Sequence, residues 1–309
     1  MTAQRLVAAL ASALGSHEAA TFELRFLAAH AAALPESSAP SASNVYHFVD
    51  QLPAPAQARL DTMVAQRAKK HMPLQYILGT VPFANRLELF VEPPVLIPRW
   101  ETDEWVERLA RRTKEHWAPC AGPLRIADLC SGSGCVGLGL ASHLAETAAS
   151  GVAITGYDVV PAAIALAARN AAHNPFPGVS ARYLLTDLMS PSTTKIEPAD
   201  LVVANPPYIS ERDYAGLDPS VREWEDRTAL VGGEHGTKMY AKLVDLAASA
   251  LTPRKSLDPA AVRLAMEIGD GQGAEVAAIV KRRFQWADVW RDLAGQERCV
   301  VAGGPTNHK

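Results

Sequence analysis

The sequence predicts an α/β protein in which a doubly wound, mostly parallel sheet follows a small N-terminal helical domain and is joined to it by a β-hairpin. Three observations carry this reading. From Leu124 onward, strand-like segments alternate with helix-like segments, the pattern of repeated crossovers in one sheet. Before about residue 72, apolar residues recur at three- and four-residue spacing, as on one face of a helix. Between these regions, "FANRLELFV" alternates Phe83, Leu87, Leu89 and Val91 with polar residues, the period of a half-buried strand.

The elements follow in order. Leu6/Val7/Leu10/Leu14, Phe22/Phe26/Leu27/Leu34 and Leu60/Met63/Val64/Arg67 form three helical stripes, the last after the Pro- and Ser-rich break "PESSAPSASN". Helices this short need a partner to bury their stripes. Pro93 and Pro94 close the hairpin. A helix begins near Thr102, with acids in its first turn and Arg111 and Arg112 in its last, as the helix dipole favours. Then "LRIADLC" leads to a helix from about Gly134, "AITGYDVV" to the helix "PAAIALAARNAAH", and "ARYLLTD" to a loop. "DLVVAN" leads to a long irregular segment and a helix near 237 to 250, "RLAMEIG" to "AEVAAIVKRR", and "ADVWRDL" to "RCVVAGG". The expected boundaries are 1–80 for the helical domain, 81–98 for the hairpin linker and 99–309 for the α/β domain.

Composition narrows the function classes. Of the 309 residues 48% are hydrophobic and 20% charged, which allows a sizeable core and excludes global disorder. A net charge of -3 with no long Lys/Arg run gives no electrostatic footprint for a duplex or an anionic membrane, so direct nucleic-acid binding is not expected. Cys120, Cys130, Cys135 and Cys299 show neither C-x-x-C spacing nor a His cluster; they read as reduced thiols, and no metal is expected. No stretch of about 18 apolar residues predicts a membrane span. The first 17 residues carry Arg5 and no acid, which resembles a mitochondrial presequence, while Leu6, Val7, Leu10 and Leu14 equally make an ordinary amphipathic helix.

In a doubly wound sheet, ligands collect at the carboxyl ends of the strands. That rule brings Asp128 and the turn after it, Asp158, Asp187 and the tetrad Asn205-Pro206-Pro207-Tyr208 to one edge. The turn contains Gly132-x-Gly134-x-x-Gly137, a spacing that lets backbone approach a ligand closely and equally serves a tight strand-to-helix turn. Asp158 stands where a carboxylate accepts from both hydroxyls of a ribose, which NAD and S-adenosylmethionine share. Asp128 would repel a pyrophosphate but suits a sulfonium and an ammonium group, and Asp187 could receive the exocyclic amine of adenine. In the tetrad, two prolines fix an extended turn that presents carbonyls outward. The Asn205 side-chain oxygen and the Pro206 carbonyl could then accept both hydrogens of a planar NH2 group lying against Tyr208. A proline-terminated strand with Asn as a turn residue is the plainer alternative.

"DLCSGSG", "GYD" and "NPPY", in this order, resemble the S-adenosylmethionine-dependent methyltransferases of exocyclic and amide nitrogens. "MPLQYILGTVPFANRLELFVEPPVLIPRWETDEWVE", "VREWEDRTALVGGEHG" and the terminal "GQERCVVAGG" resemble, more narrowly, the protein-(glutamine-N5) methyltransferases of the HemK/PrmC type that act on peptide chain release factors. The resemblance implies a Rossmann-like methyltransferase sheet, S-adenosylmethionine as cofactor, and the glutamine of a release factor Gly-Gly-Gln loop as substrate. It implies that Asn205 and Pro206 hold the amide with Pro207 and Tyr208 beside it, that Gly132 and Gly134 border the methionine part of the cofactor, and that Asp158 holds its ribose. Cys130 stands where the family usually has the first glycine of its loop, and Trp100 replaces a usual proline, a variant that resembles fungal mitochondrial members. Adenine-N6 methylation of nucleic acid, an NAD-dependent dehydrogenase and a catalytically silent binding module are the competing readings; the dehydrogenase leaves "NPPY" unexplained. Every residue assigned to chemistry lies beyond Arg99, so the helical domain is expected to dock the release factor.

Overall fold

The computed structural model describes residues 1–84, 86–116, 122–145, 150–193, 195–253 and 258–306. Cys120 lies outside them. The chain divides into two units, Met1–Thr80 with Asp218–Trp224, and Val81–Leu217 with Glu225–Lys309.

The first unit is helical, with its longer helices at Ala3–Leu14, His17–Ala31 and Ala54–Lys70. Leu6, Val7 and Leu10 are buried against Leu24, Leu27, Leu60 and Val64, so the first residues form the amphipathic helix that their spacing allows. Gly15, at φ 69°, turns the chain out of the first helix, and the Ser16 hydroxyl caps the second by accepting from the Ala19 N–H at 3.2 Å. Arg67 and Glu23 form a two-bonded ion pair at 2.7 and 2.9 Å, largely shielded from water. The Trp224 indole donates to the Lys70 carbonyl at 2.8 Å, which ties the returning segment Asp218–Trp224 into this unit.

Two expectations differ here. Phe22 is half-exposed rather than inward, because the buried face of its helix runs through Ala20, Leu24, Leu27 and Ala31. The helix Val45–Asp50 was not expected, since six residues are too few to show a period, yet Val45 and Val49 are fully buried.

The second unit is built on strands β1 (Thr80–Phe83, entering at Val81), β2 (Leu87–Phe90), β3 (Leu124–Leu129), β4 (Val152–Asp158), β5 (Val179–Leu185), β6 (Leu201–Ala204), β7 (Leu264–Glu267), β8 (Phe284–Arg291) and β9 (Glu297–Pro305). β1 and β2 form the hairpin, and the other seven make one sheet in the order β5-β4-β3-β6-β7-β9-β8. Strands β5 to β7 pair in parallel; β9 runs antiparallel to β7 and β8. Helices on both faces explain why β6 and β7 read as continuous apolar runs: every residue of both is buried.

The strand order reverses direction between β3 and β6, which opens a crevice at their carboxyl ends. The hairpin, expected as a linker, belongs to this unit. Asn170, fully buried on the helix Pro161–His173, accepts from the Phe90 N–H at 2.7 Å and donates to the Phe90 carbonyl at 3.1 Å and the Ser133 carbonyl at 2.9 Å. One side chain thus holds β2 and the glycine loop in register. The helix expected from Thr102 spans Trp100–His116, so Lys114 and His116, not Arg111 and Arg112, occupy its last turn.

Candidate functional site

The loop from β3 into the helix Cys135–Leu144 has three residues in the left-handed region: Cys130 at φ 58°, Gly132 at 52° and Gly134 at 81°. Cys130 keeps the backbone that a glycine adopts freely, at a cost of about 1–2 kcal/mol. A Cβ added at Gly132 would meet nothing within 4 Å, whereas one at Gly134 would lie 2.7 Å from the Tyr183 hydroxyl. Gly132 therefore faces open space, and Gly134 serves close packing beneath the loop. Gly137 brings its helix onto the sheet, where a Cβ would lie 2.9 Å from Ile154.

The three acids separate. Asp158, at the end of β4, accepts from the Gly132 N–H at 2.8 Å and the Val160 N–H at 2.9 Å, one on each carboxylate oxygen. Burial raises its carboxyl above the ordinary value, and these backbone donors oppose the rise. Asp187 is exposed and caps its own turn, accepting from the Met189 N–H at 2.8 Å.

Asp128 is fully buried under the loop. Its Oδ2 accepts from the Gly137 N–H at 2.9 Å, its Oδ1 has no partner, and burial pushes its carboxyl up to about 8. The expectation that Asp128 faces a ligand is corrected, because its side chain caps the start of the following helix instead.

A pocket with about 810 Å³ of space, continuous with solvent, lies at this sheet edge. Gly132, Asp158, Asp187, Asn205 and Pro207 line it together; Asp128, Gly134, Pro206 and Tyr208 do not. Pro206 is buried, and the Tyr208 hydroxyl turns away to donate to Glu267 at 3.1 Å. Sequence reasoning missed Thr228, Asp226 and Met239 as pocket residues, and it noted Cys130 only as a departure from the family's loop glycine. Asp226 carried a signal, since Asp-x-Thr marks a cap: its carboxylate accepts from the Thr228 N–H and hydroxyl, both at 2.8 Å. Beside the pocket, Arg99 donates to both oxygens of the buried Glu225 at 2.7 Å, which fixes the entry to that loop.

The donor set fits a nucleoside with a free ribose diol. Asp158 uses one lone pair on each oxygen and retains another on each, Gly132 leaves its outer side open, and Leu188, Met189 and Ala163 supply apolar walls for a flat base. Among the described residues, no group of three His, Cys, Asp or Glu could hold a metal, and no helix is long and apolar enough to cross a membrane.

Comparison with known proteins decides between the nucleoside cofactors. Residues 5–79 match the PrmC N-terminal domain, and residues 117–217 match the methyltransferase small domain. The chain is 33% identical to a release factor glutamine methyltransferase of Bacillus anthracis over 79% of this chain and 82% of that protein. It belongs to the release factor glutamine methyltransferase family.

The Geobacter sulfurreducens member is 39% identical over 71% of this chain and 68% of its own length, and the Bacillus subtilis member 32% over 76% of each. As a member of this family the chain is an S-adenosylmethionine-dependent methyltransferase. Among the pocket carboxylates, Asp158 keeps a free lone pair on each oxygen, the acceptor set a ribose diol needs. Asp158→Ala is expected to weaken S-adenosylmethionine binding by about 1.5–3 kcal/mol, the worth of hydrogen bonds to a charged acceptor. Calorimetric titration measures this, and an unchanged affinity would remove Asp158 from the ribose site.

Proposed function

We propose that this chain transfers a methyl group from S-adenosylmethionine to the side-chain amide nitrogen of the glutamine in the Gly-Gly-Gln loop of a peptide chain release factor. The observation that carries the reading is Asn205, which follows β6 on the wall of the same pocket that Gly132 and Asp158 line. When bound, the cofactor supplies an electrophilic methyl on a sulfonium.

The residues of the chain do the remaining work. An amide nitrogen is a poor nucleophile because its lone pair is delocalised into the carbonyl. The Asn205 oxygen, on the pocket wall, accepts one of its hydrogens, and the Pro206 carbonyl, behind that wall in the structure without substrate, is assigned the other; together they raise electron density at nitrogen and restrain its direction. Pro206 and Pro207 have no N–H to offer in competition, and they hold the turn rigid. Orientation alone can lower such a barrier by up to roughly 7–11 kcal/mol. The amide nitrogen would gain the C–N bond as the cofactor's S–CH3 bond breaks, and would be left positively charged. A protonated amide is a strong acid, so its proton passes to water and no basic side chain is required.

The helical unit is assigned the docking of the release factor body, because every residue given a chemical role lies outside residues 1–80. Remote binding energy of this kind orients a substrate. Mass spectrometry of a release factor incubated with the chain and S-adenosylmethionine tests the function: one added methyl on the Gly-Gly-Gln glutamine is expected, and methylated adenine in a nucleic acid with an unmodified factor would overturn it. A mitochondrial setting is also proposed, supported by Trp100, the variant that resembles fungal mitochondrial members. Imaging of the full chain tagged at its C-terminus checks this, and a diffuse cytoplasmic signal would refute it.

A further inference from the structure

Behind the tetrad, the last residue of β7 is a carboxylate withdrawn from water: Glu267 is 1% exposed. Its Oε2 accepts from the Thr102 hydroxyl at 2.6 Å and the Trp105 indole N–H at 2.8 Å, and its Oε1 accepts from the Tyr208 hydroxyl at 3.1 Å. Thr102, itself 1% exposed, faces the Asn205 amide nitrogen at 3.5 Å. This contact is long, as catalytic hydrogen bonds often are before substrate arrives.

The direction of this chain of bonds follows from counting hydrogens. An ionised carboxylate only accepts. Burial raises the Glu267 carboxyl, and the three donors Thr102, Trp105 and Tyr208 oppose that rise by favouring the ionised form, in which Oε2 is an acceptor alone. The Thr102 hydroxyl has one hydrogen, and at 2.6 Å it is committed to that oxygen. Towards Asn205 the hydroxyl can therefore only accept. The end of the Asn205 amide that meets it must be the NH2, which leaves the oxygen for the opposite side.

We infer that Glu267, acting through Thr102, sets the orientation of the Asn205 amide so that its oxygen faces the substrate NH2; both are positioning residues, and the inference rests on the function proposed above. The requirement is chemical. An asparagine amide turned by half a rotation occupies the same volume but presents a donor to a donor, and the substrate amide then loses an acceptor. Nothing in the tetrad itself distinguishes the two orientations, since Pro206 and Pro207 carry no N–H.

The test compares Thr102→Val, which keeps the shape and deletes the acceptor, with Thr102→Ser, which restores the hydroxyl. Thr102→Val is expected to lower kcat at least 10-fold while S-adenosylmethionine affinity stays near wild type and the melting temperature falls, since Glu267 loses a buried donor, and Thr102→Ser to recover most of both losses. Glu267→Gln is expected to fall by only a few-fold, because its carbonyl oxygen still takes the Trp105 and Thr102 hydrogens while Tyr208 rotates to accept. Wild-type kcat in Thr102→Val, or an equal loss in Thr102→Ser, would overturn the inference.

A second readout does not depend on the substrate. In nitrogen-labelled protein, the side-chain NH2 signals of Asn205 are expected to shift and to exchange faster in Thr102→Val but not in Thr102→Ser; identical signals in all three proteins would refute the orientation. A wild-type chain that fails to methylate a release factor would refute the proposed function instead, and the NH2 signals would still decide the inference.

Discussion

Asn205→Ala is expected to lower turnover by about 100-fold or more, equivalent to at least about 2.7 kcal/mol of barrier, while S-adenosylmethionine affinity changes by no more than a few-fold. The size follows from what the residue does. With Pro207 it is one of two tetrad residues on the pocket wall, and its oxygen supplies one of two acceptors for the amide hydrogens. Removing one preorganised acceptor is costly because water does not replace it in the same fixed direction. The fold should tolerate the change, since Asn205 follows β6 and the buried residues Leu201 to Ala204 carry the strand. Steady-state kinetics with an intact release factor measures the effect. Activity above about a tenth of wild type would show that Asn205 is not the principal holder of the amide.

Why Asn205 was legible in the sequence and its supports were not comes down to distance along the chain. A strand that ends in Asn205-Pro206-Pro207 is a local pattern, and its place at the carboxyl edge of a parallel sheet follows from the alternation of strands and helices. The same reasoning found Gly132, Asp158 and Asp187 by their positions at strand ends. It treated Asp128 in the same way, yet Asp128 sits one residue inside β3. The alternation of side chains along a strand turns it under the loop rather than over it. The hydroxyl of Tyr208 had no local signal either: it donates to Glu267, 59 residues away in sequence.

Glu267 carried the signal used for Asp158, an acid closing an apolar strand, though its partners Thr102 and Trp105 lie more than 160 residues upstream. The segment Asp218–Trp224 has no local pattern at all that assigns it to the helical unit. Its membership rests on tertiary packing, including the bond from Trp224 to Lys70. Periodicity reports which residues a single element buries; it is silent about which distant element buries them.

Asp128→Asn is expected to stabilise the protein at neutral pH, by up to about 4 kcal/mol, and to leave S-adenosylmethionine affinity unchanged. Burial raises the Asp128 carboxyl from an ordinary 3.8 to about 8, so the folded chain retains a proton that the unfolded chain releases. The sign follows directly. For an acid whose folded value lies above its unfolded value, the favourable contribution is complete below about 3.8 and is lost as pH rises through about 8. At pH 7 roughly three of the four units are already lost, at about 1.4 kcal/mol each.

Asparagine removes that loss, because it is neutral at every pH and its oxygen still accepts from the Gly137 N–H. Its NH2 would occupy the position of the unpartnered Oδ1. The Tyr183 hydroxyl, also buried without a partner and close enough to feel the Asp128 charge, is available as an acceptor. Urea denaturation of both proteins from pH 5 to pH 8 checks the prediction: the gap in stability should widen with pH and narrow towards pH 4. Parallel curves would show that Asp128 is ionised in the folded protein at no cost. Titration with S-adenosylmethionine then separates the two roles considered for this residue. A carboxylate that held the ammonium group of the cofactor would lose affinity on becoming an amide, whereas a helix cap beneath the loop, away from the pocket wall, would not.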